Sequence, residues 1–287
     1  MLAVLRRELK AYYLSPTGYI FMGFFLLLSG FFFAFSNLFT ASPSYLGVLG
    51  SITFIFLIVV PILTMRLLSE ESRQKTDQLL LTSPLSVTGM VLGKYFAAVG
   101  VFLITLLITC IYPIILSFFG TIAVWEIVGG YVGFFLLGSA FIAVGLFVSS
   151  MTDNQVIAAV VTFSALLFLW ILDWIIEGLP TDRVSGIVFA CLLVAGAVAL
   201  VYFSIRNIYV CIAVALVGLG IVAVLYFTNE FLFDGLIVRV LEWFSLLKRY
   251  DNFTLGILSL SPIVYYISFS SIFVFLTVRM IEKRRWS

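Results

Sequence analysis

Long apolar runs alternate with short polar segments along the whole chain. Each run has about 20 residues, enough for a helix to cross a hydrocarbon core of roughly 30 Å. None shows the strict alternation of a membrane β-strand, as the run FMGFFLLLSGFFFAF illustrates. The pattern predicts an all-α integral membrane protein, a polytopic helical bundle of about eight transmembrane helices. The runs lie near residues 18–39, 46–65, 95–119, 127–149, 156–176, 186–205, 208–228 and 257–279.

An amphipathic segment, residues 1–17, precedes the first run. Its apolar side chains recur at steps of three and four, with basic side chains beside them. This spacing predicts a helix that lies at the membrane interface, and Ser15-Pro16 then turns the chain into the bilayer. The apolar positions are Leu2, Leu5, Leu9 and Tyr12 or Tyr13, and the basic ones are Arg6, Arg7 and Lys10.

The charged loop between the second and third runs covers residues 66–94, RLLSEESRQKTDQLLLTSPLSVTGMVLGK. Its first part has the spacing of helical ion pairs, Glu70 with Arg73 and Glu71 with Lys75.

Ser83-Pro84 ends that first helix, because the residue before a proline is disfavoured in the α region. Ser86 then caps a second short helix that leads into the third run. A helix, a sharp turn and a short helix form a docking element in the cytoplasm. An ordinary solvated hairpin between two spans is the alternative.

Two further segments complete the organisation of what we treat as one transmembrane domain over residues 1–287. Residues 184–228 form a hairpin of two apolar runs joined at Arg206-Asn207. Residues 229–255 include EFLFDGLIVRVLEWFSLLKRY, which predicts one interfacial helix on the outer side.

Composition agrees with the apolar runs: 63% of the 287 residues are hydrophobic and 10% are charged, with a mean hydropathy of +1.22. Soluble domains carry about a quarter charged residues. With eight spans, both termini and three loops share one side, which holds 12 of the 16 Lys and Arg residues. The excess of positive charge predicts that both termini are cytoplasmic and that the protein is a multi-pass protein of the plasma membrane.

Candidate chemistry is sparse. The chain has no histidine, and its three cysteines fall inside apolar runs, so we expect no metal site and no catalytic residues. The nearest approach to a phosphate-binding loop, GMVLGKY at 89–95, is one residue short of the motif and lacks its hydroxyl group. We therefore expect no cofactor on this chain and no enzymatic activity, and nothing points to nucleic acid.

Acidic residues inside the runs are the candidates for ion coupling. Asp173 lies at the outer end of the fifth run between Trp170 and Trp174, near Glu177. These two acidic residues form a possible outer-end polar site. Flanking tryptophans favour a hydrated interfacial position over a proton or sodium relay.

The fourth run is rich in glycine, with Gly129 and Gly133 in a G-x-x-x-G pattern, followed by Gly138 and Gly145. Small residues at this spacing allow close helix packing. The packing partner is either another helix of the same chain or a second subunit.

The charged loop with its flanks, PILTMRLLSEESRQKTDQLLLTSPLSVTGMVLGKYFAA, resembles the loop between spans 2 and 3 of ABC transporter permeases of the type 2 exporter family. The similarity is to the gliding-motility and nitrous-oxide-reductase-maturation branch, which is bacterial. Further similar stretches are SPTGYIF at 15–21, GYVGFFLLGSAFIAVGLFVSS at 130–150, MTDNQVIA at 151–158 and the C-terminal VFLTVRMIEKRRW.

The resemblance implies a permease subunit that exports a substrate with energy from ATP hydrolysis on a separate cytoplasmic ATPase subunit, which holds the ATP and Mg²⁺. It also implies a second permease copy or a related permease, as a homodimer or heterodimer. In this family the cytoplasmic loop sits in a cleft of the ATPase subunit and couples it to the permease. The corresponding coupling positions here are Glu70, Glu71, Thr82, Ser83, Pro84 and Leu85, and those of the connecting helix are Arg6, Arg7 and Glu8.

The chain departs from the family pattern in three places. Residues 184–228 add two spans to the usual six, LGILSLSPIVYY lacks a charged pair common before the last span, and Lys75 stands where glycine is frequent.

Two other hypotheses for the function stay open. One is a force-transmitting subunit of an ABC complex that acts on an extracytoplasmic partner and moves no solute. The other is an ion-coupled carrier that uses Asp173 or Glu177.

Overall fold

The computed structural model describes residues 1–40, 42, 44–73, 86–228 and 230–286, and every regular element within these ranges is helical. The helix bounds are α1 Leu2–Leu14, α2 Pro16–Phe33, α3 Leu46–Ser51, α4 Phe56–Thr64, α5 Ser69–Arg73, α6 Val87–Thr109, α7 Ile111–Ser117, α8 Val124–Met151, α9 Gln155–Glu177, α10 Arg183–Ile205, α11 Ile208–Thr228, α12 Leu236–Glu242, α13 Leu247–Thr254 and α14 Leu260–Trp286.

Eight helical segments in the described residues are long and apolar enough to cross a membrane, and each corresponds to one predicted run. The prediction of an all-α polytopic bundle is confirmed, and the fold is that of a multi-pass membrane protein. The segments are Pro16–Leu38, Leu46–Arg73, Val87–Ser117, Val124–Met151, Gln155–Glu177, Arg183–Phe203, Ile208–Thr228 and Leu260–Lys283.

The third span begins earlier than the apolar run predicts. The Ser86 hydroxyl accepts a hydrogen bond from the Gly89 amide at 3.2 Å, so the predicted cap is present. The short helix after it is not separate, because α6 continues from Val87 to Thr109 without a break.

Proline accounts for an interruption in this span. α6 ends at Thr109, and α7 resumes at Ile111 with Pro113 in its first turn. A proline has no amide hydrogen to donate and its ring clashes with the carbonyl four residues earlier, here that of Thr109.

The chain divides into two compact units, Met1–Trp170 with Leu246–Ser287, and Ile171–Ser245. α8 runs through the first unit, with most of its side chains buried. A Cβ atom on Gly133 would lie 2.6 Å from Cβ of Phe253, and one on Gly138 would lie 2.5 Å from the ring of Phe102. These glycines of the fourth run therefore pack against helices of the same chain.

Aromatic side chains fill the space around α8. Phe56 lies with its ring centroid 4.7 Å from that of Phe134, 5.5 Å from that of Phe102 and 5.6 Å from that of Phe141. All four rings are buried. Because lipid is as apolar as these rings, close packing rather than exclusion from water holds this core together.

The second unit is a hairpin of α10 and α11 with α12 beside α10. Arg206 forms the turn in the left-handed conformation, with φ of 52°. The Gly235 amide donates to the Thr181 carbonyl at 2.9 Å, and Arg183 pairs with Asp234 at 3.2 Å. Much of the apolar surface of α10 and α11 is exposed, as expected for helices that face lipid.

The prediction of one interfacial helix over the outer segment is wrong. The described part of this segment forms two α-helices, α12 and α13, separated by residues 243–246. α12 starts after Gly235, whose positive φ of 67° ends any earlier helix. α13 buries Tyr250 and Phe253 in the core of the first unit. Packing against α8 therefore places this helix in the core, although its amphipathic sequence predicts a helix at the membrane surface.

Candidate functional site

Four charged side chains from three helices meet at one end of the first unit. Arg7 and Glu8 come from α1, Glu71 from α5 and Lys94 from α6. Arg7 lies 2.7 Å from Glu8 and 2.8 Å from Glu71, and Lys94 lies 2.9 Å from Glu71 and 3.3 Å from Glu8. We call these four residues the junction network; its two positive and two negative charges balance.

Lys94 is the buried centre of the network. Its side chain is 2% exposed, whereas those of Glu8 and Glu71 are 14% and 17% exposed. The ammonium group has three hydrogens to donate. Its nitrogen contacts both carboxylates and donates to the Leu67 carbonyl at 2.7 Å. A buried charge is tolerated only when it is paired and hydrogen-bonded, and Lys94 meets both conditions.

Close backbone packing brings α1 to Lys94. A Cβ atom on Gly93 would lie 2.9 Å from Cβ of Val4 and 3.1 Å from the Met1 carbonyl oxygen. Only a residue without a side chain permits this approach between α1 and α6. The residue next to Lys94 therefore sets the distance at which the ion pairs form.

α1 is also tied to the second span. The Tyr12 hydroxyl donates to the Leu63 carbonyl at 2.8 Å. Burial raises the pKa of the Tyr12 phenol well above its ordinary value, so the hydroxyl keeps the proton that it donates. A hydrogen bond to Glu8, with further attraction from Glu71, raises the pKa of the Arg7 guanidinium, which stays charged at every relevant pH.

The start of the charged loop is anchored on α8. The Ser149 hydroxyl accepts hydrogen bonds from the amides of Leu68 and Ser69 at 3.1 and 3.2 Å. Arg66 donates two hydrogen bonds to Glu70, at 2.7 and 2.8 Å. This bidentate pair fixes the turn that leads into α5.

The predicted coupling and connecting-helix residues lie in different places. Arg7, Glu8 and Glu71 are brought together in the junction network, and Glu70 lies one residue away, bound by Arg66. Arg6 is exposed on α1. The remaining predicted coupling positions, Thr82, Ser83, Pro84 and Leu85, lie outside the described residues, as does Lys75 of the predicted ion pair.

Sequence analysis alone places Lys94 at the end of the charged loop and does not identify its role in the junction network. The signal is present: Val91, Lys94, Tyr95 and Ala98 recur at steps of three and four, and all four are buried. A lysine on the apolar face of a helix needs an acidic partner.

The apolar face of α1 agrees in part with the predicted one. Tyr12 is buried and Leu9 packs against the core, as predicted, whereas Leu2 is exposed and Val4 is buried. The close approach of α1 to Gly93 selects the face that carries Val4.

Asp173 and Glu177 lie one helical turn apart near the end of α9, in the second unit. Asp173 is half-buried and Glu177 is exposed. No group of three or more potential metal-ligating residues occurs in the part of the chain that the structure describes.

No model of a known protein family matches this chain, and no curated protein matches it significantly. The function is therefore inferred from the residues and their geometry.

Proposed function

We propose that the chain is the permease subunit of an ATP-driven ABC transporter, most simply an exporter. A separate cytoplasmic ATPase subunit would hydrolyse ATP, and two permease copies or related permeases would form the pathway in the plasma membrane of a bacterial cell. Both termini would then face the cytoplasm, on the side of the charged loop.

The junction network is the observation that carries this proposal. Residues 74–85 connect α5 to α6, and both helices are tied to α1 close to this segment, by Glu71 and by Lys94. A displacement of residues 74–85 would therefore be transmitted to α1, the second span and the third span together. A loop that only connects two spans does not need a buried lysine bound to a distant N-terminal helix.

Mechanical coupling follows from this connectivity. Closure of two ATPase subunits around ATP would displace the loop, and the ion pairs and the Tyr12 hydrogen bond would keep the attached helices moving as one body. Rigid-body rocking of packed helices is an established form of domain motion. In this mechanism the permease chain would transmit the motion, and the ATPase subunit would supply the energy.

Co-purification with enzymatic assay tests the proposal. The tagged chain, expressed with its chromosomal neighbours and purified in mild detergent, should retain a nucleotide-binding subunit with vanadate-sensitive ATP hydrolysis. In that complex Glu71→Gln and Pro84→Ala should lower the transport-coupled hydrolysis, whereas Glu126→Gln, a charge change at an exposed position in the first turn of α8, should not. Full coupled activity in both loop variants would contradict the docking role, and a chain that purifies alone beside genes for no nucleotide-binding protein would contradict the ABC assignment.

A further inference from the structure

A groove of about 610 Å³ runs along the first unit between α6, α8 and α14. This volume lies in the range of small-molecule sites, roughly 300–1,000 Å³. Most of its lining is apolar, and its rims are exposed: Phe96, Ile267 and Phe275 are 43%, 55% and 53% exposed. The groove is separate from the junction network.

The polar groups along the groove wall have their hydrogen bonds within the chain. The Ser139 hydroxyl donates to the Phe135 carbonyl at 2.7 Å, and the Ser271 hydroxyl donates to the Ile267 carbonyl at 2.7 Å. The Tyr95 hydroxyl donates to the Ser139 carbonyl at 3.2 Å. An apolar occupant would leave no donor of these three side chains unsatisfied, so the wall accepts a hydrocarbon chain without a desolvation penalty.

Among the described residues that line the groove, the charged ones lie at one end. Thr88, near the start of α6, and Arg279 and Glu282, near the end of α14, line this mouth. Arg279 pairs with Glu282 at 3.2 Å, but its side chain is 65% exposed. Lys283 follows and is also exposed. Arg279 therefore presents an accessible guanidinium at this mouth of the groove.

The length of the apolar part fits one leaflet of a bilayer. Tyr266 and Val278 on α14 are twelve helical steps apart, which at 1.5 Å per step span about 18 Å. Half of a roughly 30 Å hydrocarbon core is about 15 Å. An occupant with its polar group at Arg279 would end near the middle of the membrane.

We propose that this groove binds a glycerophospholipid of the adjacent leaflet, with one acyl chain between α6, α8 and α14 and its phosphate on Arg279. Charge complementarity selects the phosphate, since a guanidinium binds it through two parallel hydrogen bonds. The apolar wall and its length select the acyl chain. The proposal does not depend on the ATPase subunit.

Native mass spectrometry of the full chain tests the proposal, with palmitoyl-oleoyl phosphatidylglycerol or phosphatidylethanolamine added in mild detergent. Wild type should retain one phospholipid of either class, and Arg279→Gln should bind it about tenfold more weakly, since a hydrogen bond to a charged group is lost. Arg279→Lys should recover part of the binding. Arg239→Gln, which removes a positive charge outside the groove, should bind as wild type does. Equal retention by wild type and Arg279→Gln would overturn the proposal.

A second measurement needs no variant. A phospholipid with a photoreactive group in its acyl chain should label peptides that line the groove, such as 266–278, more strongly than the exposed apolar faces of α10 and α11. Uniform labelling of all exposed apolar helices would show that the groove contacts lipid no differently from the other membrane helices, which would contradict the proposal. If instead Ser271→Trp, which fills the groove, abolishes a dimer of this chain without loss of bound phospholipid, a second copy occupies the groove and the lipid assignment is wrong.

Discussion

At the scale of single residues, Lys94 determines whether α1, α5 and α6 stay together. Replacement by methionine keeps a flexible chain of similar length but leaves two carboxylates with Arg7 alone. Removing one partner of a buried ion pair costs about 3–5 kcal/mol. We expect Lys94→Met to lower the melting temperature of the purified protein clearly, whereas Lys10→Met, at an exposed position on α1, should leave it nearly unchanged.

A double-mutant cycle separates the network from simple loss of packing. Lys94→Met combined with Glu71→Gln removes both charges of the 2.9 Å pair. The combined destabilisation should be smaller than the sum of the two single effects, because the second substitution removes one of the two carboxylates that the first left with Arg7 as their shared partner. Strict additivity would show that the two side chains do not interact.

Asp182 gives a prediction about pH. Its carboxylate accepts hydrogen bonds from the Ser185 hydroxyl at 2.7 Å and the Ser185 amide at 3.3 Å, and these bonds lower the pKa of Asp182. A lowered pKa in the folded state stabilises the start of α10 above the ordinary carboxyl pKa, and this stabilisation is lost as the pH falls through the lowered value.

Hydrogen exchange measures this effect locally. Relative to its intrinsic rate, the Ser185 amide should exchange faster as the pH falls into the acidic range. Asp182→Asn keeps a side chain that caps helices but does not titrate, so the dependence on pH should disappear in that variant. The same dependence in Asp182→Asn would contradict the role of the carboxylate.

At the scale of helices, the glycines of α8 set the spacing of the first unit. A methyl group at Gly133 would clash with Phe253, whereas one at Gly23 in α2 would meet nothing within 4 Å. Overpacking a core costs about 1–3 kcal/mol. Gly133→Ala should therefore lower the melting temperature in detergent and Gly23→Ala should not. A Gly133→Ala protein as stable as wild type would mean that α13 does not pack on α8 as described.

Sequence patterns predicted the helices far better than the contacts between them. Eight runs of apolar residues identify eight spans because hydrocarbon forces each backbone to satisfy its own hydrogen bonds. The same uniform hydropathy hides which face of a helix is buried. Glycine spacing on α8 predicted close packing against either a helix of the same chain or a second subunit. The positions of Phe102 and Phe253 show that the partner is the same chain.

The prediction of one interfacial helix over residues 229–255 was wrong for a related reason. A surface helix and the α13 helix share an amphipathic pattern, but α13 places its aromatic face in the core of the first unit. In the charged loop, spacing within one helix predicted local ion pairs for Glu71. Its partners Arg7 and Lys94 are 64 and 23 positions away in the chain and could not be read from local spacing.

At the scale of the whole molecule, we propose that residues 66–94 meet a separate ATPase subunit. Site-specific photocrosslinking tests this most directly, with a photoreactive amino acid at Leu85 in the loop and, as a control, at exposed Thr121 between the third and fourth spans. Our account predicts a crosslink from position 85 to a nucleotide-binding subunit and none from position 121. A crosslink to that subunit from 121 and not from 85, or from neither position in a complex that hydrolyses ATP, would contradict it.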